Sequence, residues 1–188
     1  MSELKHLTMD ELEADAEICQ APKDEGVLEL IVRRPQVDER ETLDEGELHL
    51  EEGLVGDSWI RRSSSRTADG SPHPDMQLTI MNARVAALVA QDKRRWQLAG
   101  DQLYLDLDLS AENLPAGTQL AIGSAVIEIT PPPHTGCKKF VSRFGLAAMK
   151  FVNSSAGREL RLRGAHAKVV QPGRIRAGDV VKKLATRI

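Results

Sequence analysis

The 188-residue sequence predicts an α+β fold, a β-rich, closed or nearly closed antiparallel barrel with two or three peripheral helices. Three observations carry this expectation. Many short apolar runs stand between turns rich in Gly, Pro and Ser. Only a few stretches have helical spacing. Strands and helices do not alternate as regular βαβ units. The length makes one domain the default and is enough to bury a substantial core.

The elements follow in order. Thr8-Met9-Asp10-Glu11 reads as a capping box that opens a short helix through about Cys19, ended by Pro22. Residues 1–25 are therefore a peripheral helix and lead-in, and residues 26–188 the main domain. Gly26–Arg34 is an apolar strand that stops at Pro35, and Glu47–Glu51 alternates as a half-exposed strand. Gly53–Asp57 is a glycine-bracketed turn. Arg61–Asp75, with three consecutive serines and two prolines, is a surface loop that could cover a site with Arg61, Arg62 and Arg66 or serve only as a connection.

Gln77–Ile80 resumes a strand, and Asn82 caps a helix over Ala83–Arg95 whose buried face holds Val85, Leu88 and Val89. Leu103, Leu105, Leu107 and Leu109 alternate with Tyr104, Asp106 and Asp108, which predicts a strand with the leucines inward. Leu120–Ile122, Gly123-Ser124 and Val126–Thr130 read as a β-hairpin. Phe140–Asn153 is helical with an interruption near Gly145. Lys168–Val170, Arg174–Arg176 and Val180–Lys183 close the chain as strands joined at Pro172-Gly173 and Gly178-Asp179.

Charge is unevenly spread. Residues 1–130 carry −14 and residues 131–188 carry +11. Three readings of the basic part stand side by side: complementarity with the acidic part, a site for a phosphorylated ligand, or nucleic-acid binding. Few aromatic rings are available for base stacking, so no nucleic-acid partner is expected. Met1–Gln20 lacks the apolar core of a signal peptide and no run is long enough to span a bilayer, so no membrane association and a cytoplasmic location are expected. Two cysteines give no disulfide framework.

Chemistry concentrates at Pro131–Phe140. Cys137 follows a turn shaped by proline and glycine and precedes Lys138, Lys139 and Arg143. A thiol ligates a soft metal or attacks a substrate as its thiolate, which cationic neighbours stabilise. An inert cysteine buried at a strand-to-helix corner is the alternative. His134 could donate to an anion, tune the thiol, or simply occupy the turn. On a helix Lys138 and Lys139 point about 100° apart, so only one should reach a ligand. Arg161 and Arg163 should share a strand face, with forked donors suited to phosphate, or one of them should pair with Asp106 or Asp108. Asn113 could hydrogen-bond a heterocycle or form a turn, and Asp57 reads as a turn residue. No Cys-x-x-Cys, His-Glu-x-x-His, P-loop or GxGxxG-to-helix motif occurs.

Gly53–Asp57, Gln77–Arg84, Leu105–Leu114, His134–Phe140 and Gly178–Val181, in this order, resemble the MOSC domain, named for the C-terminal domain of molybdenum cofactor sulfurase. The resemblance spans about Gly26 to Leu184. It implies a barrel whose cleft holds a molybdopterin-type molybdenum cofactor, with Cys137 as molybdenum ligand, catalytic group or sulfur carrier. His134, Lys138, Arg143, Arg161, Arg163 and Asn113 are the expected cofactor-binding residues. The implied functions are reduction of N-hydroxylated substrates with a redox partner, or cofactor and sulfur handling for a molybdoenzyme, including non-catalytic binding and delivery. Pyridoxal phosphate, which serves the sulfurase through another domain, is not expected in this chain alone.

Overall fold

In a computed structural model, which describes residues 5–14 and 21–185, seven strands close into a barrel. They are β1 (Glu25–Arg33), β5 (Leu78–Asn82), β6 (Leu103–Asp106), β7 (Gln119–Ile122), β8 (Ala125–Pro133), β9 (Ala165–Gln171) and β11 (Val180–Lys183). The order around the wall is β11-β7-β8-β9-β5-β6-β1, and β1 returns to β11 through Gly26 opposite Val181. The short β2 (Glu41–Leu43) extends β1. A separate ribbon of β3 (Glu45–His49), β4 (Gly53–Leu54) and β10 (Gly173–Arg176) lies beside the barrel.

One pair in the wall departs from an antiparallel barrel: β5 and β6 run parallel. Parallel neighbours need a long crossover, and residues 83–102 supply it. That segment holds α2 (Ala83–Ala90), capped by the Asn82 side chain on the amides of Arg84 and Val85. The helix is shorter than its sequence suggested. Gln91 takes a left-handed conformation and Asp92 then caps a separate 3-10 segment, Lys93–Ala99.

The sheet has two buried faces. The inner one collects Leu28, Leu105, Leu120, Ile127 and Val181 with their neighbours. The outer one packs Val32, Met81 and Tyr104 against α2, against α3 (Lys138–Asn153) and, through Leu12, against α1 (Met9–Ala14). Tyr104, whose alternation with the leucines assigned it to the outside, is therefore fully buried, and its hydroxyl donates to the Trp96 carbonyl. Period two told which face it takes but not that helices cover that face. The predicted break in α3 falls at Gly145 (φ 91°, ψ 164°), where a side chain would collide with His6. Cys19, where the first helix was expected to end, lies outside the described residues.

Arg161 and Arg163 are not on a strand. They sit in a turn after α4 (Ser155–Glu159), and the chain enters β9 through Gly164 at φ 114°. A Cβ there would lie 2.1 Å from the Ile80 carbonyl oxygen. Only glycine permits so close an approach of this turn to β5, and the arginine-rich run is bent by it. Asp106, one proposed partner of these arginines, pairs instead with Arg84 at 2.7 Å.

Candidate functional site

A cleft of about 360 Å³ opens where the ends of β1, β5, β8 and β9 meet the Arg61–Asp75 connection. Its floor includes Thr79, His134 and His166, and its rim includes Arg34, Arg62 and Arg66. The Arg61–Asp75 connection thus borders this cleft. Arg62 and Arg66 line the cleft, whereas Arg61 turns away to the Pro35 carbonyl.

The rim cations are not equivalent. Arg34 is buried and holds Asp57 through two hydrogen bonds, Nε to Oδ2 at 2.9 Å and Nη2 to Oδ1 at 2.8 Å. It also donates to the Gly100 carbonyl. Burial alone would raise the Asp57 pKa, but the Arg34 hydrogen bonds and charge outweigh it and hold the carboxyl below its usual range. Asp57 is both the expected turn residue, capping the 3-10 turn Ser58–Arg61, and the counter-charge that fixes Arg34. Among the described residues the Arg62 side chain donates to the Ser58 hydroxyl, with Asp57 near enough to act on its charge, and the Arg66 side chain makes no hydrogen bond or ion pair. Burial and the nearby Arg34 and Arg40 charges lower the Arg62 pKa from its ordinary value. Two guanidiniums that make no direct ion pair among the described residues, beside one cleft, suit an anion with several acceptor oxygens.

The floor is neutral. The His134 and His166 rings lie 4.7 Å apart. Burial pushes the His166 pKa down to about 4 and, with the charges of Arg163, His166 and Arg34, pushes His134 well below 6.5. Beneath them Arg163 Nη1 reaches Asp101 Oδ2 at 2.6 Å, and the other Asp101 oxygen lies 3.4 Å from His134 Nδ1.

These histidines tie stability to pH. The folded state keeps His166 neutral while the unfolded chain protonates it below about 6.5, so stability is full above that pH and declines as the pH falls towards 4. We expect a loss of about 2–3 kcal/mol between pH 7 and pH 4.5 from this residue. The urea midpoint at the two pH values checks it, and a His166→Phe variant should lose less; equal losses would contradict the assignment.

The sequence-predicted residues are only partly brought together. His134 lines the cleft, and Cys137 follows Thr135, another lining residue, by two positions with its side chain exposed. It is the N-cap residue of α3 but makes no side-chain capping bond. Lys138 is exposed outside the cleft, and Lys139 pairs with Asp38. Arg143 is spent on the Leu98 carbonyl and Asp38. Arg163 lies under the floor, buried against Asp101, the Ala99 carbonyl and the Phe140 ring. Arg161 donates to the Leu114 carbonyl and lines a second cleft of about 260 Å³ behind Pro133–Thr135. Asn113 donates to the Lys23 and Asp108 carbonyls and accepts from Lys183, so it forms the turn and stands away from both clefts.

The rim cations therefore come from the acidic part of the sequence. Much of the basic part is neutralised within the fold, in pairs such as Lys139–Asp38, Arg163–Asp101, Arg176–Glu45 and Lys183–Asp24. Among the described residues no three His, Cys, Asp or Glu side chains converge as a metal-ligand group, and no helix is long and apolar enough to cross a membrane.

Comparison with known proteins agrees with this architecture. A family model described as MOSC domain matches residues 73–182. The YuaD protein from Bacillus subtilis has a similar crystal structure at 16% identity, covering 87% of this chain and 97% of that one, with a TM-score of 0.61. YiiM from Escherichia coli is similar at 19% identity over 86% of this chain and 71% of that one, with a TM-score of 0.55. No curated protein sequence matches the chain significantly.

Proposed function

We propose a function from one premise: this chain belongs to the MOSC domain family. That family is generally associated with molybdenum cofactor binding. One observation carries the reading here. An exposed thiol stands two residues beyond a cleft lined by two arginines that make no direct ion pair among the described residues. The donor set fits the group: a thiolate is a soft ligand for molybdenum, and the guanidiniums match the phosphate of its pterin. Arg62 and Arg66 would hold the phosphate, with Arg34 completing the positive rim, and Cys137 would face the metal. When bound, the cofactor supplies a centre able to exchange electrons and an oxygen atom with a substrate. The protein's own residues bind the anion and, through the buried floor, restrict the cleft's contact with water.

Within this reading the chain is an oxidoreductase acting on N-hydroxylated substrates. Such a reduction consumes two electrons and two protons and releases water, so an external electron donor is required. The exposure of Cys137 favours a second reading, a carrier that hands cofactor or sulfur to a molybdoenzyme, because transfer needs an accessible sulfur. The test is protein purified from a cofactor-producing host, analysed for molybdenum and pterin, then assayed with N-hydroxylated bases and a chemical reductant. Metal and pterin in equal amounts with turnover support the enzyme; retention without turnover supports the carrier. Absence of both groups would sink the proposal.

A narrower expectation concerns the rim. Arg62→Ala and Arg66→Ala should each weaken inorganic phosphate binding about tenfold and flatten its dependence on salt, because each removes a charge-assisted contact. Isothermal titration at two salt concentrations measures both effects. Unchanged affinity in both variants would move the anion site elsewhere.

A further inference from the structure

We infer that His134 gives the cleft a fixed hydrogen-bond acceptor, Nε2, and so selects ligands that bring an uncharged N–H or O–H donor to its floor. Asp101 and Arg163 are the positioning residues that set this polarity. The inference rests on the cofactor reading for its choice of probe; its geometry does not.

The argument begins with the polar atoms under the cleft. His134 Nδ1 and Asp101 Oδ1 are both buried and lie 3.4 Å apart, a close approach rather than a formed hydrogen bond, and among the described residues neither makes a hydrogen bond with any other group. The second Asp101 oxygen takes the Arg163 guanidinium at 2.6 Å. A carboxylate accepts and does not donate, so the proton between Asp101 and His134 belongs on Nδ1. Burial raises the Asp101 pKa on balance, against the lowering by the Arg163 charge and hydrogen bond; the ground for assigning a carboxylate is geometric, the buried guanidinium held at 2.6 Å on its other oxygen. Burial first, then Arg163 in the turn before β9, His166 on β9 and Arg34 beyond β1, all disfavour the protonated imidazole. A neutral ring with Nδ1 protonated has a bare Nε2, on the side away from Asp101. His134 lines the cleft, so that lone pair is what the ring offers to a ligand.

The backbone keeps the ring in place. Gly164, which has no side chain to fill the space, passes so close that a Cβ on it would stand 3.3 Å from His134 Nδ1. His166, itself 3% exposed, carries a second buried nitrogen, Nδ1, that makes no well-formed hydrogen bond among the described residues, although the Leu78 backbone lies near its ring. The cleft is thus two-ended. Its rim of Arg62 and Arg66 takes the anion, and its floor takes a neutral donor such as the ring N–H or amino group of a heterocycle. A second phosphate on the floor would meet a lone pair and be rejected.

The first measurement is long-range ¹H–¹⁵N NMR of the histidine side chains, made on the purified protein without ligand. His134 should be the Nδ1–H tautomer. In Asp101→Asn the amide oxygen should go to Arg163 and the amide nitrogen to His134, inverting the tautomer to Nε2–H. The second measurement is binding of 6-hydroxymethylpterin phosphate and of inorganic phosphate, each a stable, metal-free probe. Asp101→Asn should weaken the pterin phosphate about tenfold and leave inorganic phosphate unchanged, because only the former reaches the floor. Asp101 also anchors Arg163, so His134→Phe, which keeps a ring against His166 and removes both nitrogens, provides a variant that leaves the ion pair intact. It should show the same selective loss.

An Nε2–H tautomer in the unaltered protein overturns the inference. So does an equal loss of both probes, or of neither, in a folded His134→Phe. Should the unaltered protein bind inorganic phosphate but not the pterin phosphate, the cofactor reading fails, and the tautomer alone then decides whether the floor is an acceptor.

Discussion

Arg163→Ala is expected to destabilise the fold by about 3–5 kcal/mol, the largest effect of any single replacement considered for this protein. The sequence offered Arg163 as a phosphate ligand or an aspartate partner; the residue is 5% exposed and its guanidinium is bound to the fully buried Asp101. Removing it leaves a carboxylate in the interior without a counter-charge, the Ala99 carbonyl without its donor, and the Phe140 ring without the cation stacked over it. Urea unfolding at pH 7 measures the loss, and a change below 1 kcal/mol would mean that water reaches Asp101 freely. Replacing both partners by apolar residues, Arg163→Met with Asp101→Leu, should recover most of the stability, because the buried charge disappears with its partner.

The second large effect is chemical rather than structural. Cys137→Ala should abolish molybdenum retention, a fall of at least tenfold in metal per chain, with stability changed by no more than about 0.5 kcal/mol. The thiol is exposed and makes no capping bond, so the fold does not depend on it. The cationic rim remains in the variant, and pterin could still be held through its phosphate. Metal analysis, pterin analysis and a urea melt on the same preparation separate these contributions. Full metal content in the variant would remove Cys137 from the site.

Local patterns wrote much of the barrel into the sequence. The hairpin at Gly123-Ser124, the cap at Asn82, the break at Gly145 and the inward leucines of β6 are each set by residues close in the chain, and each is found. What was hidden depends on long-range pairing. Nothing near Tyr104 says that helices will cover its face, and nothing near Arg161–Arg163 says that Gly164 will press this turn against β5. The site divides in the same way. His134 and Cys137 stand out because proline and glycine mark their turn. Arg34 does not, because it ends an ordinary apolar strand, and its importance comes from Asp57, 23 positions later. One signal was available: Asp57 follows the glycine turn, and Arg33 and Arg34 end the apolar strand before it, so a buried partner for it could have been sought among nearby arginines. Of the three readings of segment charge, complementarity accounts for much of the basic segment, which is consumed in pairs with the acidic one, while the cleft draws its cations from the latter.

The closure of the wall by β11 on β1 also constrains how the molecule is made. Contact between Gly26 and Val181 joins an early segment to a very late one, so a nascent chain on the ribosome holds β1 and β7 as open edges until residues 180–183 have emerged. Pairing over such a separation is slow. During that interval the cell must keep two strands' worth of unsatisfied amides and carbonyls from finding each other on neighbouring chains.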